Sequence, residues 1–160
     1  MKRRLTGRIL AGALVGWCLL ADVLPAAEGD AAVLRRRLAQ FDREASAGDL
    51  DALMGLFAED AVAFGSGQAP LVGKASIRAF WKGILEEFTA QAVHEVGEIT
   101  SIGDVVVLQG DARGSFVSKT GGKAVPIDNW FLHLYRRSAN GSLLLWRGSF
   151  GPNPPAAQSR

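Results

Sequence analysis

Asp128 is the residue whose surroundings invite chemistry most directly. Alternation along its segment sets Pro126, Asp128, Trp130, Leu132 and Leu134 on one side, against Ile127, Asn129, Phe131, His133 and Tyr135 on the other. A carboxyl group among Pro, Trp and Leu is desolvated, which favours its neutral, hydrogen-bond-donating form, and such a group in a cleft is a site candidate. The competing reading is a structural Asp128 bonded to Arg147, or to backbone beside a bulge invited by Pro126. Phe64, Trp81, Phe116, Trp130, Trp146 and Phe150 are numerous enough to line an apolar cavity of the kind that holds ligands, although each taken singly fits plain core packing. Of the two histidines, His133 alternates with Asp128 and is expected on the outer side of the sheet with Tyr135, while His94 is a candidate for the pocket mouth. Arg147 can hold a ligand carboxylate or pair with Asp111 or Asp128, an ion pair on the outer face being the commoner outcome. Gly65-Ser66-Gly67 lacks the Gly-x-Ser-x-Gly elbow of a serine hydrolase. Neither a phosphate loop, a dinucleotide fingerprint nor a zinc-ligand spacing is present, so no cofactor and no metal are called for.

These side chains need elements to position them, and the hydrophobic periods supply three helices followed by strands. Asp30 is placed to cap a helix with Leu34, Leu38, Phe41 and Ala45 on one face; Gly48 ends it and Asp49 caps the next, where Leu50, Leu53, Met54 and Phe57 recur at helical spacing. A third helix carries Ile77, Phe80, Trp81, Ile84, Leu85 and Phe88, more large apolar groups than one face needs, which suits a lid over a hollow. From there the period is two. Long strands are expected over 90–102, 105–118, 123–137 and 143–150, joined by Gly103-Asp104, Gly121-Gly122 and Asn140-Gly141. Two short strands, around 61–64 and 70–72, precede the third helix. The fold class is therefore α+β: three N-terminal helices on a curved antiparallel sheet that closes into a cone-shaped pocket.

The N-terminus has its own logic. Lys2, Arg3, Arg4 and Arg8 precede a nearly unbroken apolar run from Ile9 to Leu24, with small residues at Ala26 and Ala27. This is the layout of a secretory signal peptide over residues 1–27, which implies a periplasmic or secreted protein. An uncleaved anchor is the alternative. The domain proper then spans 28–152, with a loosely ordered tail over 153–160. Without residues 1–27 the chain keeps 14 basic and 15 acidic residues, so the basic pI belongs to the leader and nothing points to nucleic acid or to an anionic membrane. The single Cys18 leaves with that segment, removing disulfides and thiol chemistry from the domain.

Several motifs occur in series: Ala47-Gly48-Asp49-Leu50-Asp51-Ala52-Leu53, Leu56-Phe57-Ala58-Glu59-Asp60-Ala61, Gly73-Lys74-Ala75-Ser76-Ile77-Arg78-Ala79-Phe80-Trp81, Pro126-Ile127-Asp128 and Trp146-Arg147-Gly148-Ser149-Phe150-Gly151. In that order they resemble the nuclear-transport-factor-like superfamily, which includes the ketosteroid isomerases and SnoaL-like cyclases. Asn153-Pro154-Pro155 further resembles an exported branch of it. The resemblance implies a cone-shaped pocket that Phe41 helps to line, and often a homodimer through the outer sheet face. It also implies an oxyanion carboxyl at Asp128; the matching Tyr position falls on Phe41 and the base position on Gly65, neither able to serve, so steroid-type isomerisation is not expected. The expected function is binding of an apolar small molecule bearing a carbonyl or hydroxyl, with Asp128 as the catalytic acid if the protein is an acid–base enzyme (isomerase, cyclase or hydratase-like). A non-catalytic carrier or sensor, or a protein-interaction module with a vestigial pocket, is the alternative.

Overall fold

The computed structural model describes residues 29–155, so the expected export signal and residues 156–160 lie outside the described part. Three helices come in the expected order: α1 (Asp30–Ala47), α2 (Leu50–Met54) and, after the strands β1 (Phe57–Gly65) and β2 (Leu71–Val72), α3 (Lys74–Glu87). Four long strands follow: β3 (Phe88–Ile102), β4 (Val105–Ser118), β5 (Val125–Arg137) and β6 (Leu143–Pro152). No helix among the described residues is long and apolar enough to cross a membrane.

Local signals account for most boundaries. Gly48 adopts a left-handed φ of 73°, stopping α1, and Asp49 then accepts a hydrogen bond from the Ala52 amide at 2.9 Å to start α2. The first helix starts differently from expectation: Gly29 is its N-cap, and the Asp30 carboxylate is spent on Ser101 and Arg137. The second helix is shorter than its period suggested. It stops at Met54, and Phe57 opens β1 instead, because Leu56 and Phe57 pair with β6 and are buried as strand residues.

All six strands form one sheet in the order β2-β1-β6-β5-β4-β3. It is mixed rather than wholly antiparallel, because β1 runs parallel to β6. After β1 the chain passes through α3 and the whole meander before β6 returns along β1. Two glycines let the long strands curl. A Cβ on Gly110 would lie 2.0 Å from the Glu95 carbonyl oxygen, and one on Gly114, whose φ is 145°, would lie 2.0 Å from that of Gln91. Only a residue without a side chain lets β3 and β4 approach so closely. A bulge between Val96 and Glu98 adds twist.

The core lies between the helices and the concave face of the sheet. Leu34 and Leu38 of α1, Leu53 of α2, Ile77 of α3, and Val106, Leu108 and Leu143 of the sheet are all fully buried. Each such aliphatic side chain contributes roughly 1.5–3 kcal/mol of burial.

Candidate active site

The hollow exists because the strands place small residues where they face the helices. Ala61 and Ala63 of β1, Ala90 and Ala92 of β3, Ala112 of β4 and Gly148 of β6 all border it. Their short side chains leave a cavity of about 160 Å³ between sheet and helices. Ile77, Phe80, Trp81 and Ile84 of α3 close it from above, as the surplus of apolar groups on that helix suggested.

Polar groups in the cavity wall come from α1, β3 and β5. Asp42 follows Phe41 on α1, and His94 faces it from β3. The imidazole Nδ1–H of His94 donates to Asp42 Oδ1 at 2.5 Å, and the His94 backbone N–H donates to Oδ2 at 3.1 Å. Both side chains are largely withdrawn from solvent, at 12% and 16% exposure. An ionised carboxylate only accepts, so the bond places a ring proton on Nδ1 and leaves Nε2 as the nitrogen turned away from Asp42. Packing holds the ring: Phe41 stands edge-on at 5.2 Å between centroids and Phe131 lies at 5.2 Å on another side.

His133 is the second histidine of the wall, with its ring centroid 6.4 Å from that of His94. It is 7% exposed, and its Nδ1 has no hydrogen-bond partner among the described residues. Burial, reinforced by the neighbouring His94, pushes its pKa down to about 3, so the imidazole is neutral at physiological pH. Tyr135, next along the same face, is also buried, and that burial pushes its phenol well above the usual range. Asn129 completes the polar lining from β5.

Asp128 is not part of this group. Ile127, Asn129, Phe131 and His133 point inward, whereas Asp128 lies on the convex face with its side chain 66% exposed. There it accepts from Asn153 Nδ2 at 2.9 Å and stands 3.6 Å from Arg113 Nε, so it fastens the end of β6 to the sheet. Alternation had divided β5 correctly into two faces and assigned them the wrong way round. The apolar side chains of Trp130 and Leu132 sit on the outside, 41% and 37% exposed, so hydrophobicity did not distinguish the faces. His133, expected outside, is inside for the same reason.

The aromatic candidates divide likewise. Phe41, Trp81, Phe116 and Phe150 line the cavity, with Phe41 and Trp81 meeting edge to face at 5.4 Å. Trp130 also borders it, although by alternation it shares the outer face with Asp128. Phe64 is 43% exposed, because Ala61 and Ala63 take the inward positions of β1. Trp146 is displaced by a β-bulge: Leu134 pairs with Arg147 and Tyr135 with Leu145, leaving Trp146 as the extra residue. Its indole donates to Asp60 at 3.0 Å and carries the guanidinium groups of Arg136 and Arg147 at 4.9 and 4.1 Å from the ring. Arg147 accordingly donates to the backbone carbonyls of Asp60 and Trp146, not to Asp111 or Asp128, both of which stand beside Arg113. A Cβ at Gly65 would meet the Gln68 side-chain amide at 2.0 Å and the Phe150 ring at 3.0 Å, so a side chain there requires Gln68 to swing aside.

Asp42 escaped the sequence reading although a signal existed. It falls four residues after Leu38 and so extends the buried stripe of α1 with an acid. His94 likewise continues the inward series Ala90 and Ala92.

A SnoaL-like domain model matches residues 38–146. Several solved structures share the fold. A ketosteroid isomerase-like protein from Erwinia carotovora is 22% identical with a TM-score of 0.68, covering 78% of this chain and 96% of its own. An NTF2-like protein with a cystatin-like fold from Novosphingobium aromaticivorans is 20% identical with a TM-score of 0.61, covering 80% and 84%. A conserved protein from Planctomyces limnophilus is 19% identical with a TM-score of 0.71, covering 75% and 93%. Among curated proteins, none matches the sequence.

Proposed function

This chain belongs to the SnoaL-like family, and within that fold we propose that it is a small-molecule acid–base enzyme in which His94 moves the proton and Asp42 orients it. The observation that carries the proposal is the hydrogen bond from His94 Nδ1 to Asp42 inside an apolar hollow. That bond leaves Nε2 as the basic atom and sets a negative charge behind the imidazolium formed when Nε2 takes a proton. A carbon acid next to a carbonyl, or a hydroxyl, is the group such a base can deprotonate. Return of the proton at another carbon gives isomerisation; expulsion of a β-hydroxyl gives dehydration. His133 and Asn129 are the neutral polar groups available to the substrate oxygen as charge develops on it.

Exchange of the α-protons of cyclohexanone in heavy water tests this without knowledge of the natural substrate. The wild-type protein is expected to accelerate exchange, and His94→Ala to lose at least about 100-fold of that acceleration. Asp42→Asn keeps the shape but loses the charge and is expected to fall in between. A wild-type protein that binds the ketone yet leaves its exchange rate unchanged is a carrier, and the enzyme reading is then wrong.

Export and a homodimer complete the proposal. The basic and apolar N-terminal segment supports export, tested by the N-terminal sequence of the protein recovered from the periplasm or medium. The exposed Phe64, Trp130 and Leu132 on the outer sheet face support a second copy as its cover, tested by sedimentation of wild type against Leu132→Lys.

A further inference from the structure

We infer that His133 is a second catalytic residue of this pocket, its imidazole held as the Nε2–H tautomer and donating from Nε2 to the carbonyl oxygen of the substrate. The substrate class follows: a ketone or aldehyde with a hydrogen on the neighbouring carbon, rather than an alcohol. The inference rests on the pocket being the functional site proposed above.

The two nitrogens of His133 meet different surroundings. Nδ1 is sealed inside the protein and has no hydrogen-bond partner among the described residues. Nε2 lies on the ring edge turned to Gly148, the residue paired with His133 between β5 and β6, and both residues border the cavity. A Cβ on Gly148 would stand 3.4 Å from His133 Cδ2 and 3.7 Å from Nε2, so the missing side chain leaves that edge uncovered. Nε2 also lacks a partner among the described residues, but unlike Nδ1 it keeps open surface.

A neutral imidazole carries one N–H and one bare nitrogen, and burial together with His94 keeps His133 neutral at physiological pH. A sealed N–H with nothing to donate to costs about 1–3 kcal/mol, and such orphaned donors are rarer than under-used acceptors. The proton therefore belongs on Nε2, where the cavity supplies an acceptor. Phe131 at 4.6 Å and Tyr135 at 6.2 Å between centroids hold the ring, so the donor is aimed before the substrate arrives.

The His94 and His133 ring centroids are 6.4 Å apart, so a carbonyl group and its α-carbon reach from one ring to the other. The α-proton passes to His94, its bonding pair forms the carbon–carbon double bond, and the carbonyl π pair moves onto oxygen, opposite the His133 N–H. A neutral imidazole polarises a carbonyl in this way and keeps its own proton. A carbonyl oxygen only accepts, so one N–H satisfies it. A hydroxyl has a proton of its own to place, and both oxygens of Asp42 are already taken by His94.

Two measurements on the full-length protein test the assignment. The ¹⁵N spectrum of the wild type is expected to show His133 Nε2 protonated and Nδ1 bare; a proton on Nδ1 overturns the inference. The carbonyl stretch of bound ¹³C-labelled cyclohexanone is expected at lower frequency in the wild type than in His133→Phe, which should also lose about 100-fold in kcat for α-proton exchange with a much smaller change in KM. A lowered stretch that survives in His133→Phe refutes the contact, and its loss in Asn129→Ala instead assigns the oxygen to Asn129. If His133→Phe does not fold, Gly148→Ala sets a methyl group against the Nε2 edge and should raise the stretch; an unaltered stretch there overturns the inference. A lowered stretch without acceleration of exchange would count against the enzyme reading alone.

Discussion

Acidification should expose His133 as a buried neutral group, and the size of the effect follows from its environment. The imidazole is pushed from an ordinary value of 6.5 to about 3 by burial and by His94 beside it, with Phe131 and Tyr135 packed on the same face. Between those two values the unfolded chain binds a proton on this residue that the folded protein refuses. Stability is therefore fully present above about pH 6.5 and is lost as pH falls toward 3, at about 1.4 kcal/mol per pH unit. At about pH 4.5 the loss reaches roughly 3 kcal/mol, a large share of the stability of a domain this size. Asp30, held below its usual range by Arg137 and Ser101, and Asp60, held at about 2 chiefly by Arg136, lose their contributions only as pH drops below the ordinary carboxylate value of 3.8. The windows are thus separated. Urea denaturation at about pH 7.5 and 4.5, run on wild type and His133→Phe, isolates the histidine. The variant should lose about 3 kcal/mol less on acidification, and at neutral pH it should be no less stable than wild type, since it also removes an unpaired nitrogen. His133→Leu serves if Phe is too large. Equal acid losses in wild type and variants would falsify the buried neutral state and with it the assignment of His133 to the inside of the sheet.

Other perturbations probe the frame around the site. Gly110→Ala forces a Cβ onto the Glu95 carbonyl at 2.0 Å and against the Phe131 ring at 2.9 Å, so a cost of about 2–3 kcal/mol is expected in urea denaturation; an unchanged midpoint would show that β3 and β4 separate freely. Asp128→Asn should leave ligand affinity and α-proton exchange unchanged and alter stability by no more than about 0.5 kcal/mol, because the side chain is exposed; a tenfold loss of binding would return Asp128 to the site. A β,γ-unsaturated ketosteroid should not be isomerised. Phe41 cannot donate a hydrogen bond and Gly65 cannot accept a proton, and turnover measured by the absorbance of the conjugated product would mean that other groups take over those two roles.

Helices and strands were legible where local chemistry sets them. Gly48 and Asp49 end one helix and begin the next through their own backbone and side-chain preferences. Asn140-Gly141 lies in the connection between β5 and β6, where Gly141 takes a φ of 83°. The surplus apolar groups of α3 announced a lid; Trp81, Phe116 and Phe150 were expected in the cavity from their aromatic type, and Phe41 from the family resemblance. Alternation divides a strand into two sets of side chains; which set faces the helices depends on the neighbouring strands, and on β5 both sets contain large apolar residues. Asp128 therefore went to the wrong side and His133 with it. The extra residue at Trp146 comes from the pairing of β5 with β6, which a period of two within one segment does not reveal. Asp42 and His94 lie 52 residues apart, and only the packing of α1 across β3 brings their side chains together. Propensity and period act over a few neighbouring residues, and so the sequence by itself determined the elements and their order. The inside of the sheet, the bulge and the Asp42–His94 pair arise from contacts between distant segments, which the tertiary structure alone decided.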